Sequence, residues 1–194
     1  MAATLLPTGI EEDGLYRLSI EQYEAMIRSG TIGEDDPVEL LDGILYEKMT
    51  QFAPHTIVIQ NLSRWLVRRC LDTHDVRVQM PIRLANSRPE PDIAVVAGMP
   101  DDYPEQPTGE QILLAVEVAD RASDSVLRKK ARLYARGGVR ELWIVDVPER
   151  RVELHREPGE GGYRVITILA ETEPFAPLFM SEESLRGSEI LPRV

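Results

Sequence analysis

The sequence predicts an α/β (α+β) domain, a sheet carrying helices, and two observations lead there. Segments with apolar residues three and four positions apart alternate with short apolar runs of strand length. The most apolar run, ILLAVEVA at 112–119, has the composition of a strand covered on both faces, interrupted only by Glu117.

Ser19 followed by Ile20, Tyr23, Ala25, Met26 and Ile27, with Gly30 beyond, reads as a capped amphipathic helix on the surface. VELL, Asp42-Gly43 and ILYEKM form a hairpin, because an Asp-Gly pair supplies the positive φ angles of a tight turn. From Pro54 to about Leu71 a long helix places Ile57, Leu62, Trp65, Leu66 and Cys70 on roughly one side. Three strands follow, VRVQMPIRL around 76–84, PDIAVV at 91–96 and ILLAVEVA, separated by proline-rich and acidic loops. A helix from about Asp124 to Arg136 stops at Gly137-Gly138, and RELWIVDV starts another strand. RRVELHRE and GYRVITIL flank PGEGG as a closing hairpin; the last twenty residues give no clear signal, and the chain has no internal repeat.

At 194 residues and 43% hydrophobic, the chain buries one ordinary core, so a single domain over 1–194 is expected, with its core at about 38–170. No apolar run approaches the ~20 residues of a membrane span. The N-terminus lacks the basic region of a secretory signal. Cys70 is the one cysteine, so no intramolecular disulfide forms, and a cytoplasmic location is the expectation.

A net charge of -11 argues against nonspecific coating of nucleic acid, which rests on excess Lys and Arg. The charge is segregated, however. Arg128, Lys129, Lys130, Arg132, Arg136 and Arg140 share a window without Asp or Glu, and Arg64, Arg68 and Arg69 lie on the long helix. Composition alone reads both groups as solvated helix faces.

Glu117 carries the most information. A carboxylate inside a doubly covered strand must be neutral, paired or metal-bound, unless it sits at the strand's exposed end. Its same-face neighbours Ala115 and Ala119 leave space beside it. On the following helix Val126, Leu127, Leu133 and Tyr134 form one stripe with Lys130 in its middle, whereas Lys129 lies toward the edge and Arg132 and Arg136 on the polar side. Lys130 either snorkels to water or meets Glu117. If PDIAVV and ILLAVEVA are neighbouring strands, Asp92 and Glu117 converge on one cation. Mg²⁺ uses one or two carboxylates and keeps several waters; Mn²⁺ is the expected substitute.

VELLDG at 38–43, PDIAVV at 91–96, AVEVAD at 115–120 and KARLYARGGVRELWIVD at 130–146 occur in an order that resembles the PD-(D/E)XK nuclease superfamily and, within it, the Uma-two family of restriction-endonuclease-like proteins. The resemblance implies a restriction-endonuclease-like mixed central sheet flanked by helices, preceded here by the N-terminal helix and hairpin. It implies Asp92 and Glu117 as metal ligands and Lys130 as the catalytic lysine. In the wider superfamily the lysine stands two positions after the acid. Here that position is Ala119, and Lys130, four before Tyr134, matches the lysine that the Uma-two family carries on the following helix. Glu39 matches an acid that completes the metal site, with cross-strand pairing to Lys48 as its alternative. His55 matches a histidine near the start of the long helix, a place a plain helix-start residue also fills. Asp146 matches too, but its position before a turn favours a structural role. The family often has an acid four before its lysine; here that place is Val126, with Asp120 and Asp124 only nearby.

The resulting expectation is a metal-dependent endonuclease hydrolysing phosphodiester bonds of nucleic acid, DNA first, through a metal-activated water. Arg64, Arg68, Lys129 and Arg132 are the candidates for backbone-phosphate contact. A homodimer would set two such sites on opposite strands. The alternative is a catalytically silent nuclease fold that binds nucleic acid or protein, which the acidic net charge favours. A third reading makes Glu117 and Lys130 a structural ion pair.

Overall fold

The computed structural model describes residues 15–33, 36–48, 52–70, 72–119 and 124–193; the stretch read for a secretory signal and Asp120 lie outside them. Helix α1 (Ile20–Arg28) starts at a capping box in which Ser19 and Gln22 bond each other's backbone amides. The hairpin β1 (Val38–Leu41) and β2 (Ile44–Glu47) turns through Asp42 and Gly43 at φ 54° and 77°, the left-handed pair that an Asp-Gly turn supplies. Helix α2 spans Ala53–Cys70, and β3 covers His74–Val78.

β3 is shorter than the strand expected around 76–84, because Gln79 takes φ 51° and leaves the extended region. The segment after it still buries Ile82 and Leu84. The buried stripe of α2 also differs from the expected one: it comprises His55, Val58, Ile59, Leu62, Leu66 and Cys70, while Ile57 is 39% exposed. Apolar residues surround this helix on more than one side, so periodicity alone left the choice of stripe to tertiary packing.

Strands β4 (Ile93–Ala97), β5 (Ile112–Ala119), β6 (Glu141–Asp146), β7 (Arg151–Arg156) and β8 (Val165–Ala170) join β3 in one sheet, in the order β3-β4-β5-β6-β7-β8. Only β5 and β6 run parallel, connected by α3 (Asp124–Arg136); every other neighbouring pair is antiparallel. The sheet is therefore mixed, and β5 is central as its composition predicts. α3 ends where Gly138 takes φ 82°, a left-handed stop that a glycine accepts without strain.

Two cores result. On one face α2 packs Val58, Leu62 and Leu66 against Ile93, Leu114, Val116 and Trp143. On the other, α3 sets Leu133 and Tyr134 against Ala94, Ala115, Leu142 and Ile144. α1 covers the hairpin through Ile20, Tyr23 and Leu40. The C-terminal residues, silent in the sequence, belong to the first core: Phe175, Leu185, Ile190 and Leu191 are buried there, in β9 (Pro174–Phe175), β10 (Leu185–Arg186) and the short α4 (Gly187–Ile190). Among the described residues no helix is long and apolar enough to cross a membrane.

Glu141 anchors that tail. Fully buried, its carboxylate accepts from Trp143 Nε1 at 2.9 Å, Arg156 Nε at 2.8 Å and the Leu178 amide at 2.7 Å. Arg156→Ala removes its cation and is expected to destabilise the fold by about 3–5 kcal/mol, the cost of a buried charge left unpaired. Urea unfolding measures it.

Candidate active site

Five elements bring the predicted acids, the lysine and His55 to one place. The β4–β5 register sets Ile93 opposite Val116, so continuing it one step places Asp92, just before β4, opposite Glu117. Asp92 is held there by its own carboxylate: Oδ2 accepts from the Val118 amide at 2.8 Å and pairs with His55 Nε2 at 3.1 Å, at the start of α2. β1 contributes Glu39, whose Oε2 accepts from the Glu90 amide at 3.1 Å. Glu39 lies across from Tyr46 rather than Lys48, and Lys48 instead pairs with Glu90 at 2.6 Å.

Lys130 ties these acids together. Its Nζ lies 2.9 Å from Glu117 Oε1, 3.1 Å from Oε2 and 3.3 Å from Glu39 Oε1. Only 7% exposed, it does not snorkel to water. One turn on, the Tyr134 hydroxyl donates a short hydrogen bond to Glu117 Oε1. Sequence reasoning placed Tyr134 in the core stripe and missed this role; the available signal was a polar tip on that stripe four residues after Lys130.

Burial of Glu117, opposed by Lys130 and reinforced by Asp92 and Glu39, raises its carboxyl pKa to about 7. Burial works against the Lys130 ammonium, but Glu117 and Glu39 outweigh it and hold its pKa above the ordinary value, so the lysine stays charged. Tyr134 is raised well above the ordinary phenol, first by burial and then by the same acids, and remains a donor.

The other candidates fall outside this cluster. Arg64 and Arg68 are exposed on α2, about 14 and 20 Å further along the helix than His55 at 1.5 Å per residue. Arg132 is exposed on α3. Lys129 is occupied, donating to the Tyr46 hydroxyl at 2.9 Å with its ammonium 4.7 Å from that ring. Asp146 pairs with Arg151 at 2.9 Å and accepts from the Glu149 amide, the structural role expected of it.

Among the described residues no three His, Cys, Asp or Glu side chains surround a common point where a metal would sit, since Glu39 and Glu117 are turned to Lys130. The donor chemistry nonetheless fits a hard divalent cation. Three buried carboxylates share the site, two of them paired with Lys130, every acidic donor is oxygen, and the surplus negative charge is what Mg²⁺ or Mn²⁺ balances.

The fold is a mixed α/β domain with helices packed on both faces of its sheet. A family model described as Uma2, "Putative restriction endonuclease", matches residues 20–188, and the chain belongs to that family. A crystal structure of a putative nuclease belonging to DUF820 from Anabaena variabilis ATCC 29413 has the same fold, with a TM-score of 0.71 at 15% sequence identity, covering 89% of this chain and 97% of that one. No curated protein matches the chain.

Because the folded Glu117 binds its proton more tightly than an ordinary carboxyl of 4.5, its contribution to stability is greatest below that pH and is lost as pH rises toward and through about 7. In the absence of metal, Glu117→Gln is therefore expected to lose less stability than the wild type between about pH 5 and 8. Urea midpoints across that range test the sign.

Proposed function

We propose that this chain is a metal-dependent endonuclease that hydrolyses phosphodiester bonds of nucleic acid, DNA in the first instance. The observation that carries the reading is one buried cluster, in which Lys130 pairs with Glu117 and Glu39 while Asp92, opposite Glu117 in the register, is held by His55 and the Val118 amide. Membership of a family described as restriction endonucleases supports it.

In this reading Asp92 and Glu117 hold Mg²⁺, with Mn²⁺ as substitute, and Glu39 completes the set. Such an ion lowers the pKa of a bound water and stabilises charge on a phosphoryl oxygen. His55 and the Val118 amide keep Asp92 oriented, and Tyr134 does the same for Glu117, as partners of ligand acids do. Lys130, buried and protonated, offers its charge to the phosphoryl oxygens as negative charge develops on them. Arg132, and more remotely Arg64 and Arg68, are the exposed cations available to flanking phosphates; Lys129 is already engaged by Tyr46. The protein acts in the cytoplasm, a compartment in keeping with its single, buried, reduced Cys70.

A second reading has its own observation. Lys130, Glu117 and Tyr134 already satisfy one another, as a purely structural ion pair would. The two separate on plasmid and single-stranded DNA with Mg²⁺ or Mn²⁺. A nuclease cuts in the presence of metal, and Glu117→Gln and Lys130→Ala, each folded by circular dichroism, lose about 10²-fold or more of the rate. Metal binding without cutting by the wild type favours the binding module; no metal binding favours the ion pair.

A further inference from the structure

The sheet ends in two edge strands of opposite character. β3, HDVRV, carries Asp75 and Arg77, paired at 3.2 Å, and charges on an edge discourage strand addition. β8, VITILA, has no charge and no proline, with Val165, Ile166 and Ile168 at 40%, 53% and 57% exposure. An uncharged apolar edge of this length is a template for another strand.

Its outer hydrogen-bonding groups can be located. The Glu171 amide bonds inward to the Arg150 carbonyl, whereas Ala170 turns outward, its N–H to Glu173 Oε2 and its C=O to the Glu173 amide. Inward and outward residues alternate along an antiparallel strand, so Ile168 and Ile166 also direct their N–H and C=O groups away from β7. Ala170 is already satisfied by Glu173. Two residues remain to be paired.

We propose that β8 is a self-association edge, through which two copies of this chain join their sheets by antiparallel β8–β8 pairing. Centred on Thr167, the pair sets Ile166 opposite Ile168 of the partner subunit and, by symmetry, the reverse, forming four main-chain hydrogen bonds. Ile166 and Ile168 share one sheet face, where they line a groove of about 740 Å³ with Leu127, Ala131, Arg132 and Tyr163. Pairing lengthens that groove across the two copies.

The charges flanking the strand fit this occupant. Arg164 precedes β8, while Glu171, held by Arg150, and Glu173, whose Oε2 accepts from the Ala170 amide, follow it. An antiparallel partner brings each Arg164 to the acidic end of the other copy. Among the described residues Arg164 pairs with the exposed Glu157, at 3.3 Å, a surface pair whose exchange costs little. The inference does not depend on the nuclease reading.

Two paired strands bury less than the about 1,200–2,000 Å² of stable complexes, so a micromolar dissociation constant is expected. Sedimentation equilibrium of the full chain from about 1 to about 200 µM should show a monomer–dimer transition. Ile168→Lys, at an exposed position outside both cores, should stay folded and weaken association about tenfold or more. In the wild type, NMR hydrogen exchange should show the Ile166 and Ile168 amides becoming protected as concentration rises. A chain that stays monomeric overturns the proposal, including one whose β8 accepts only a strand from a different protein. So does a dimer that Ile168→Lys leaves intact, or one in which those two amides exchange freely.

Discussion

Lys130 is one ammonium among three carboxylates, and the arrangement around it couples elements that share no strand pairing. Through its contacts with Glu117 and Glu39, α3 is tied both to the central strand and to the β1–β2 hairpin. A buried charge is tolerated only when paired and hydrogen-bonded, so the position of each partner is constrained by the others. Tyr134, donating to Glu117, and the Glu90 amide, donating to Glu39, complete the set. The hairpin, which lies outside the six-stranded sheet, thereby becomes part of the site.

Glu141 shows what distinguishes that site from ordinary buried charge. It too is an acid on a central strand, but it accepts from a guanidinium, an indole and a backbone amide, and each partner belongs to the scaffold. Nothing about its surroundings leaves charge unbalanced. Around Glu117 the acids outnumber the lysine, and its carboxyl pKa is raised first by burial and then by the neighbouring acids. One cluster fastens the C-terminal tail; the other retains a demand for a proton or a cation.

The order of elements was legible because each carried its own local signal: a capping box, an Asp-Gly turn, a doubly apolar strand, a glycine stop. Glu117 and Lys130 were legible for a related reason, as charges misplaced within an apolar strand and an apolar stripe. Asp92 needed the further fact that its strand neighbours β5, which adjacency in the chain suggests and the register delivers. His55 and Glu39 had weaker signals, since a histidine at a helix start and an acid in a hairpin are common, and only contacts 37 and 51 residues away in the chain reveal their partners.

By itself the sequence determined the helices and strands, the centrality of β5 and the charged residues that do not suit their surroundings, because these follow from periodicity and local turn chemistry. Tertiary structure decided which stripe of α2 is buried, where β3 ends, that the tail completes a core, that Lys129 is occupied by Tyr46, and that the Tyr134 hydroxyl reaches Glu117. Each of these depends on a contact between residues distant in the chain, and no local pattern encodes the distance that closes it.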